Sequence, residues 1–246
     1  EPTPTRDHTE RMLAAFGAPI RRDGDRVSVT AAALRGHEVR VCGDISSAAF
    51  LLAAAAGMPG SELTIEHVGL NPTRTAFLDV PRALGAEVDV RQTGEDTGEP
   101  VGAVTVRGRR LRGVRIGGSL IPRVIDELPV LCVIATAAEG ETVISDAAEL
   151  RVKESDRIAV IARGLRALGG EVEERPDGLT VYSSRLHGGR VASAGDHRIA
   201  MAFAVAGLLA GGPVTVEGAE SIAVSFPEFT RVLRDVVAQK GVHRKS

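Results

Sequence analysis

An internal repeat constrains the fold of this chain more than any other feature. Its unit opens with an acidic residue at the head of an apolar, Ala-rich helix ending in Gly, and it occurs three times, over residues 44–57, 126–140 and 196–211. A short alternating strand follows each copy. Helices that are apolar nearly all round are typical of buried positions, whereas alternating strands are typical of sheets with one wet face. The pattern therefore predicts helices inside and sheets outside.

A second spacing indicates where the domains divide. The pattern V-x4-L-x-G-x2-[VI] begins at Val106 and Val181, in each case behind the second helix of a unit, and it begins once more at Val29. No apolar first helix precedes the copy at Val29. We therefore expect residues 1–41 to be the last part of an incomplete first lobe, and residues 42–246 to form a complete three-unit domain.

Composition excludes several classes of partner. The 246 residues include 30 basic and 32 acidic side chains, so no overall field favours nucleic acid or a membrane surface. No apolar run is long enough to span a bilayer, and no signal peptide is recognisable. The two cysteines, Cys42 and Cys132, stand beside apolar residues, as reduced thiols of a cytoplasmic protein do. Any anion site must therefore be a local cluster of charge.

The densest cluster of charge is ELRVKESDRI, residues 149–158. If the following helix begins near Lys153, then Lys153 and Arg157 stand one turn apart and Glu154 shares their face. Two cations beside a carboxylate at a strand-to-helix corner can hold an anionic substrate and move a proton next to it. The same residues also fit a solvated helix start with i, i+4 ion pairs, and the stretch alone does not decide between the two.

Charged residues also stand at the heads of the apolar helices. Asp126 either caps its helix or, with an apolar run behind it, acts as a general base. His197 and Arg198 follow Asp196 in a first helical turn, where cations oppose the helix dipole. They indicate either a negative ligand or two outward-facing polar side chains. Near the start of the chain, Arg6 is the one residue of its stretch that could face a site.

Six motifs in order resemble those of one family. They are PTRDHTERML (4–13), GDISSAAF (43–50), NPTRT (71–75), RVKESDR (151–157), GDHRIAM (195–201) and SFPEF (225–229). Together they resemble 5-enolpyruvylshikimate-3-phosphate synthase, also called 3-phosphoshikimate 1-carboxyvinyltransferase. The resemblance covers essentially the whole chain but only somewhat more than half of a family member. It implies an enolpyruvyl transferase-like α/β (α+β) fold, in which each domain has three units with buried parallel helices and outer sheets.

The resemblance also implies a reaction. The family transfers the enolpyruvyl group of phosphoenolpyruvate to the 5-hydroxyl of shikimate 3-phosphate and releases phosphate, with no metal or organic cofactor. Matched residue by residue, Asp126 is similar to the group that accepts the 5-hydroxyl proton. Glu154 is similar to the acid that protonates the phosphoenolpyruvate methylene and later takes a proton back. The remaining matches are similar to substrate-binding residues: Lys153, Arg157, His197 and Arg198 at phosphoenolpyruvate, and Arg6 at the shikimate phosphate.

The sequence departs from the family at several positions. Cys42 replaces a frequent Pro, Ala76 replaces a frequent Gly, and Val224 replaces a lysine that contacts phosphate in some members. The family's N-terminal lysine, serine and arginine motifs have no counterpart here, so we expect the chain alone to be inactive. Exposed apolar surface in residues 1–41 also predicts either disorder of that segment or association with another copy.

Two other functions remain open at the level of sequence. The related UDP-N-acetylglucosamine enolpyruvyl transferase uses a loop cysteine, but neither Cys42 nor Cys132 stands in such a loop. The second alternative belongs to another class, a non-catalytic anion-binding domain left by truncation.

Overall fold

The computed structural model describes residues 6–238, so residues 1–5 and 239–246 of the two predicted regions lie outside the described residues. The helices are α1 (His8–Ala15), α2 (Ile45–Gly57), α3 (Asp79–Leu84), α4 (Ile121–Val124), α5 (Leu128–Ala135), α6 (Arg157–Ala167), α7 (His197–Leu209) and α8 (Phe229–Ala238). The strands are β1 (Ile20–Asp23), β2 (Arg26–Val29), β3 (Glu62–Gly69), β4 (Glu87–Asp96), β5 (Glu99–Arg107), β6 (Arg115–Ile116), β7 (Glu141–Ile144), β8 (Val172–Arg175), β9 (Gly178–Tyr182), β10 (Gly189–Ala192) and β11 (Val214–Glu217). None of the helices in the described range is long and apolar enough to cross a membrane.

Three apolar helices form the centre of the core. Helices α2, α5 and α7 contact one another, and all of α5 and nearly all of α2 are buried. Alanine is the commonest residue of α2, and small side chains let neighbouring helices approach closely. The amphipathic α6 packs against α5 and α7, and Phe229 of α8 lies in the same core. Helices α2, α5 and α7 lie inside because their apolar residues cover nearly every face rather than one stripe.

Glycines allow strands of successive units to lie side by side. The sheet β3-β5-β4 is antiparallel, a four-stranded sheet has the order β6-β7-β9-β8, and β6–β7 and β10–β11 are parallel pairs. A Cβ on Gly113 would lie 2.0 Å from the carbonyl oxygen of Glu141. One on Gly188 would lie 2.7 Å from that of Pro213. The third glycine of the repeated spacing, Gly36, has no such neighbour within 4 Å among the described residues.

Residues 6–41 form a small appendage. Helix α1 is followed by the antiparallel hairpin β1–β2, and the chain then runs to residue 41 without regular secondary structure. Apolar side chains of this segment lie in solvent: Met12 is 47% and Val41 84% exposed. The domain boundary after residue 41 remains a prediction.

The stretch 91–100 is a hairpin, although its glycines and polar residues predict a loop. Strands β4 and β5 run through it and reverse at Thr97 and Gly98. Nearly all of β4 is exposed, so its sequence lacks the apolar alternation that identifies a strand. The tip of the hairpin meets α1, because Nη1 of Arg11 donates to the carbonyl oxygen of Gly98 at 2.9 Å.

Candidate active site

Four distant parts of the chain bring charged side chains together. Asp126 lies in the turn between α4 and α5, Arg157 begins α6, Arg198 lies in the first turn of α7, and Arg6 precedes α1. Nη2 of Arg6 donates to Oδ2 of Asp126 at 3.0 Å. Nη1 of Arg157 and Nη2 of Arg198 each lie 3.5 Å from a carboxylate oxygen of Asp126. We call these four residues the arginine cluster.

Asp126 is a largely buried carboxylate among cations. Burial raises its pKa, but nearby positive charges outweigh that effect and hold the pKa below its ordinary value. In order of their effect, these charges belong to Arg198, Arg157, Arg6 and Lys153. Arg198 also donates from Nη1 to the backbone carbonyl oxygen of Asp126 at 3.3 Å. The free protein therefore keeps Asp126 ionised as a counterion of the cluster.

Arg157 is the most buried charge of the cluster. Its side chain is only 1% exposed, and its Nη2 donates to Oε2 of Glu154 at 2.6 Å. Its Nε donates to Oδ2 of Asp196 at 2.8 Å. Nη1 is buried and has no hydrogen-bond partner in the described part of the chain. That nitrogen lies beside Asp126 and is free to donate to an incoming anion.

Asp196 joins the heads of two helices. Its Oδ1 accepts from the backbone nitrogens of Arg198 at 2.9 Å and Ile199 at 3.3 Å, which makes it the N-cap of α7. Its Oδ2 accepts from Arg157 and from the hydroxyl of Ser155 at 3.1 Å. Burial raises the pKa of Asp196, but the hydrogen bond and charge of Arg157 bring it below its ordinary value. The cap thereby fixes the heads of α6 and α7 relative to each other.

Lys153 does not lie on a helix, so the expectation that it shares a helical face with Arg157 is wrong. Helix α6 begins at Arg157, because Asp156 caps it by accepting from the backbone nitrogen of Ala159 at 3.0 Å. The backbone of Lys153 is extended. Its Nζ donates to Oε1 of Glu149 at 2.6 Å.

His197 and Lys153 complete the predicted set without bonding to Asp126. His197 is the first residue of α7, where burial and the charge of Arg198 lower the pKa of its imidazole. The ring is therefore largely uncharged at neutral pH. No group of three or more His, Cys, Asp or Glu side chains within residues 6–238 could hold a metal ion.

Sequence analysis missed a buried network beside Asp126. Glu127 is 4% exposed and accepts a hydrogen bond from the hydroxyl of Ser46 at 2.6 Å. Arg74 donates to the same hydroxyl oxygen. Glu127, rather than Asp126, occupies the N-cap position of α5, so the capping role considered for Asp126 is wrong. The adjacent acidic pair at 126–127 was the one sequence signal of this network.

Asn71 fixes the segment that carries Arg6. Its buried amide nitrogen donates to Oδ1 of Asp7 at 2.6 Å and to Oε2 of Glu99 at 2.8 Å. Its amide oxygen accepts from the backbone nitrogen of Thr73 at 2.8 Å and from the hydroxyl of that residue at 2.7 Å. Since Asp7 follows Arg6 directly, this amide holds Arg6 within reach of the cluster.

Comparison with known proteins identifies the family. The family model described as EPSP synthase (3-phosphoshikimate 1-carboxyvinyltransferase) matches residues 1–233. The chain belongs to the EPSP synthase family. Among relatives named 3-phosphoshikimate 1-carboxyvinyltransferase, that of Nitrosococcus oceani is 51% identical over 230 residues and that of Halorhodospira halophila 54% identical over 236. The matches cover 93% and 95% of this chain but 52% and 53% of the relatives, so the chain spans about half their length.

A solved EPSP synthase also has this fold. The enzyme from Acinetobacter baumannii superimposes with a TM-score of 0.91 at 42% identity, and the match covers 96% of this chain and 55% of that one. The predicted family and the enolpyruvyl transferase fold are thus confirmed. Val224, at the position that departs from some family members in the sequence comparison above, is 83% exposed.

Proposed function

We propose that this chain supplies part of an active site that transfers the enolpyruvyl group of phosphoenolpyruvate to the 5-hydroxyl of shikimate 3-phosphate. One observation carries the proposal: three arginines from separate elements meet at Asp126, and a second carboxylate, Glu154, bonds the most buried of them. Both substrates carry a phosphate and a carboxylate, so binding them requires clustered cations. The relatives' shared name supports the same reaction.

In the free protein, the carboxylates of Asp126 and Glu154 pair with arginines that would bind substrate anions. Asp126 and Glu154 hold the guanidinium groups in a fixed arrangement, and Nη1 of Arg157 still lacks a hydrogen bond. Phosphoenolpyruvate would take over donors of Arg157 and Arg198, with Lys153 and His197 beside them. Cations that are already fixed stabilise charge developing in the transition state without reorganising.

Asp126 accepts the proton of the 5-hydroxyl as that oxygen attacks C2 of phosphoenolpyruvate. The cations around it lower its pKa in the free protein, which makes it a weak base there. Substrate anions that neutralise those cations remove the lowering effect, while burial continues to favour the protonated form. Asp126 therefore becomes a stronger base once the substrates are bound, with Arg6 at the shikimate phosphate.

Glu154 moves the second proton. Its carboxylic acid protonates the methylene carbon as the new C–O bond forms, which gives a tetrahedral intermediate. Phosphate then leaves with the electrons of its C–O bond and receives the proton held by Asp126, while Glu154 takes a proton from the new methyl group. The acid is regenerated in each turnover. The side chain of Glu154 is 51% exposed, so it can reach a substrate bound beside Arg157.

The two alternatives have less support. Burial raises the pKa of the Cys132 thiol to about 12 and also raises that of Cys42, so neither thiol is suited to the cysteine chemistry of the related UDP-N-acetylglucosamine enzyme. Both cysteines are free thiols, which fits a cytoplasmic enzyme. A non-catalytic anion-binding domain remains the second candidate, because the chain spans about half the length of its relatives. The exposed apolar residues of the appendage favour self-association in either case.

Calorimetric titration of this chain with each substrate tests the binding half of the proposal. We expect Arg198→Ala to weaken phosphoenolpyruvate binding by about 10- to 100-fold, because it removes charge-assisted hydrogen bonds. Arg185→Ala, which removes an exposed arginine outside the cluster, should leave the affinity unchanged. A chain that binds neither substrate contradicts the proposal. A measurement of turnover separates a catalytic domain from one that only binds the substrates.

A further inference from the structure

Glu127 is a buried carboxyl group to which the proposed reaction assigns no task. It directly follows Asp126, yet the two side chains have opposite surroundings. Burial raises the pKa of Glu127, and the hydroxyl of Ser46 and the charges of Arg198 and Arg74 do not reverse this effect. The pKa of Asp126 is lowered instead. Adjacent acids in such different environments have different roles.

The hydrogen bonds around Ser46 run from Arg74 to Ser46 and from Ser46 to Glu127. Arg74 donates from Nη2 to Oγ of Ser46, and a guanidinium group cannot accept. The hydroxyl of Ser46 donates in turn to Oε1 of Glu127, 2.6 Å away. Glu127 is the acceptor in this bond, a role that a carboxylate, a neutral carboxyl group and an amide oxygen can each fill.

This bond joins two elements that are far apart in sequence. Ser46 is the second residue of α2, whereas Glu127 lies in the turn between α4 and α5. Asp126 lies in the same turn, outside both helices, so no helix fixes the direction of its side chain. On the other side of the turn, Arg198 of α7 donates to the carbonyl oxygen of Asp126. The turn is therefore held between α2 and α7.

We propose that Glu127 is a positioning residue which, by accepting the hydroxyl of Ser46, holds the turn so that the Asp126 carboxylate stays among the three arginines. Glu127 touches no substrate in this account and acts only through its neighbour. The inference rests on the proposed function, in which Asp126 is the base.

Two serines in one helical turn provide a matched test. The hydroxyl of Ser46 bonds Glu127, whereas that of Ser47 bonds Oδ2 of Asp44, the N-cap of the same helix, at 3.0 Å. We expect Ser46→Ala to raise the pKa of Asp126 toward the ordinary value of about 3.9. The same change should weaken phosphoenolpyruvate binding about three- to tenfold, the effect of one hydrogen bond. Ser47→Ala should change neither quantity.

Variants of Glu127 complete the comparison. Glu127→Ala removes the acceptor and should shift both quantities in the direction of Ser46→Ala. Glu127→Gln keeps an acceptor oxygen and should recover most of what the alanine variant loses. Carbon-13 NMR of the side-chain carboxyls gives the pKa of Asp126, whose resonance is identified by its loss in Asp126→Asn. If Glu127→Ala fails to fold, Ser46→Ala still removes the same bond by deleting one atom.

The outcomes separate this inference from the proposed function. An Asp126 pKa that is unchanged by Ser46→Ala overturns the inference, as does an equal effect of Ser46→Ala and Ser47→Ala. If the unsubstituted chain binds no phosphoenolpyruvate, the proposed function fails for this chain. The titration of Asp126 needs no ligand and still decides the role of Glu127.

Discussion

Nε of Arg157 lies 2.8 Å from Oδ2 of Asp196, and the two side chains are 1% and 0% exposed. This ion pair fixes α6 against α7 and leaves the other end of the guanidinium group beside Asp126. The same pair therefore contributes to the stability of the domain and to the arrangement of the cluster.

Arg157→Ala should destabilise the domain strongly, because it leaves the charge of Asp196 buried without its partner. Breaking a buried pair in this way typically costs about 3–5 kcal/mol. Arg163→Ala is the matched control, since Arg163 is an exposed arginine of the same helix. Urea unfolding of both variants measures the difference. Equal urea midpoints for the two variants would show that the pair of Arg157 and Asp196 contributes nothing to the stability of the domain.

Glu127→Gln should make the folded protein more stable at neutral pH. The folded-state pKa of Glu127 is raised, so its stabilising effect is complete below the unfolded-state pKa of about 4.3 and is lost as pH rises through the folded pKa. Glutamine does not ionise, so the variant does not lose this stability as the pH rises. The gain in thermal midpoint over the unsubstituted chain should disappear below about pH 4.

The stability contributed by Asp126 and Asp196 has the opposite pH dependence to that of Glu127, because their pKa values are lowered in the folded state. The stability they contribute is present above about pH 3.9 and is lost as pH falls through their folded-state pKa values.

Glu171→Gln, at an exposed position, serves as the control for the substitution Glu127→Gln. If Glu127→Gln raises the thermal midpoint equally at pH 3 and pH 8, or does not raise it at all, the raised pKa of Glu127 is contradicted.

Asn71→Ala should loosen the appendage without unfolding the domain. The variant removes the amide that bonds Asp7 and Glu99, so hydrogen exchange of the amides in α1 should become faster by about tenfold or more. Gln92→Ala removes an exposed amide from β4 and should leave these rates unchanged. Unaltered exchange in Asn71→Ala would mean that other contacts hold α1.

Much of the fold was predictable from local pattern, but the contacts of the cluster were not. The buried helices were visible because α5 is apolar at every position. The ion-pair spacing from Lys153 misplaces the start of α6, whereas the capping residue Asp156 marks it correctly. The hydrogen bond between Ser46 and Glu127 links residues 81 positions apart, and no periodicity reports such a contact. Directions of side chains in a turn depend on tertiary packing.

Glu154→Gln should abolish most turnover while leaving substrate affinity nearly intact. Glutamine keeps the shape of the side chain but cannot transfer a proton, so we expect a loss of at least ~10²-fold. The measurement needs a whole enzyme, for which this chain can replace the matching half of the Halorhodospira halophila relative. Glu171→Gln in the same chimera is the control. If the turnover of Glu154→Gln is close to that of the control, Glu154 does not transfer a proton in the reaction.

Phosphate release from phosphoenolpyruvate and shikimate 3-phosphate tests the central claim most directly. The resemblance implies that further cations of the site lie outside this chain, and each preorganised donor is worth on the order of 10²–10³ in rate. We predict that the chimera turns over within about tenfold of a typical ~10 per second, that Asp126→Asn reduces this by at least ~10²-fold, and that the isolated chain shows no comparable rate. The account is contradicted if Asp126→Asn leaves the rate of phosphate release by the chimera unchanged, or if the isolated chain releases phosphate at the typical rate.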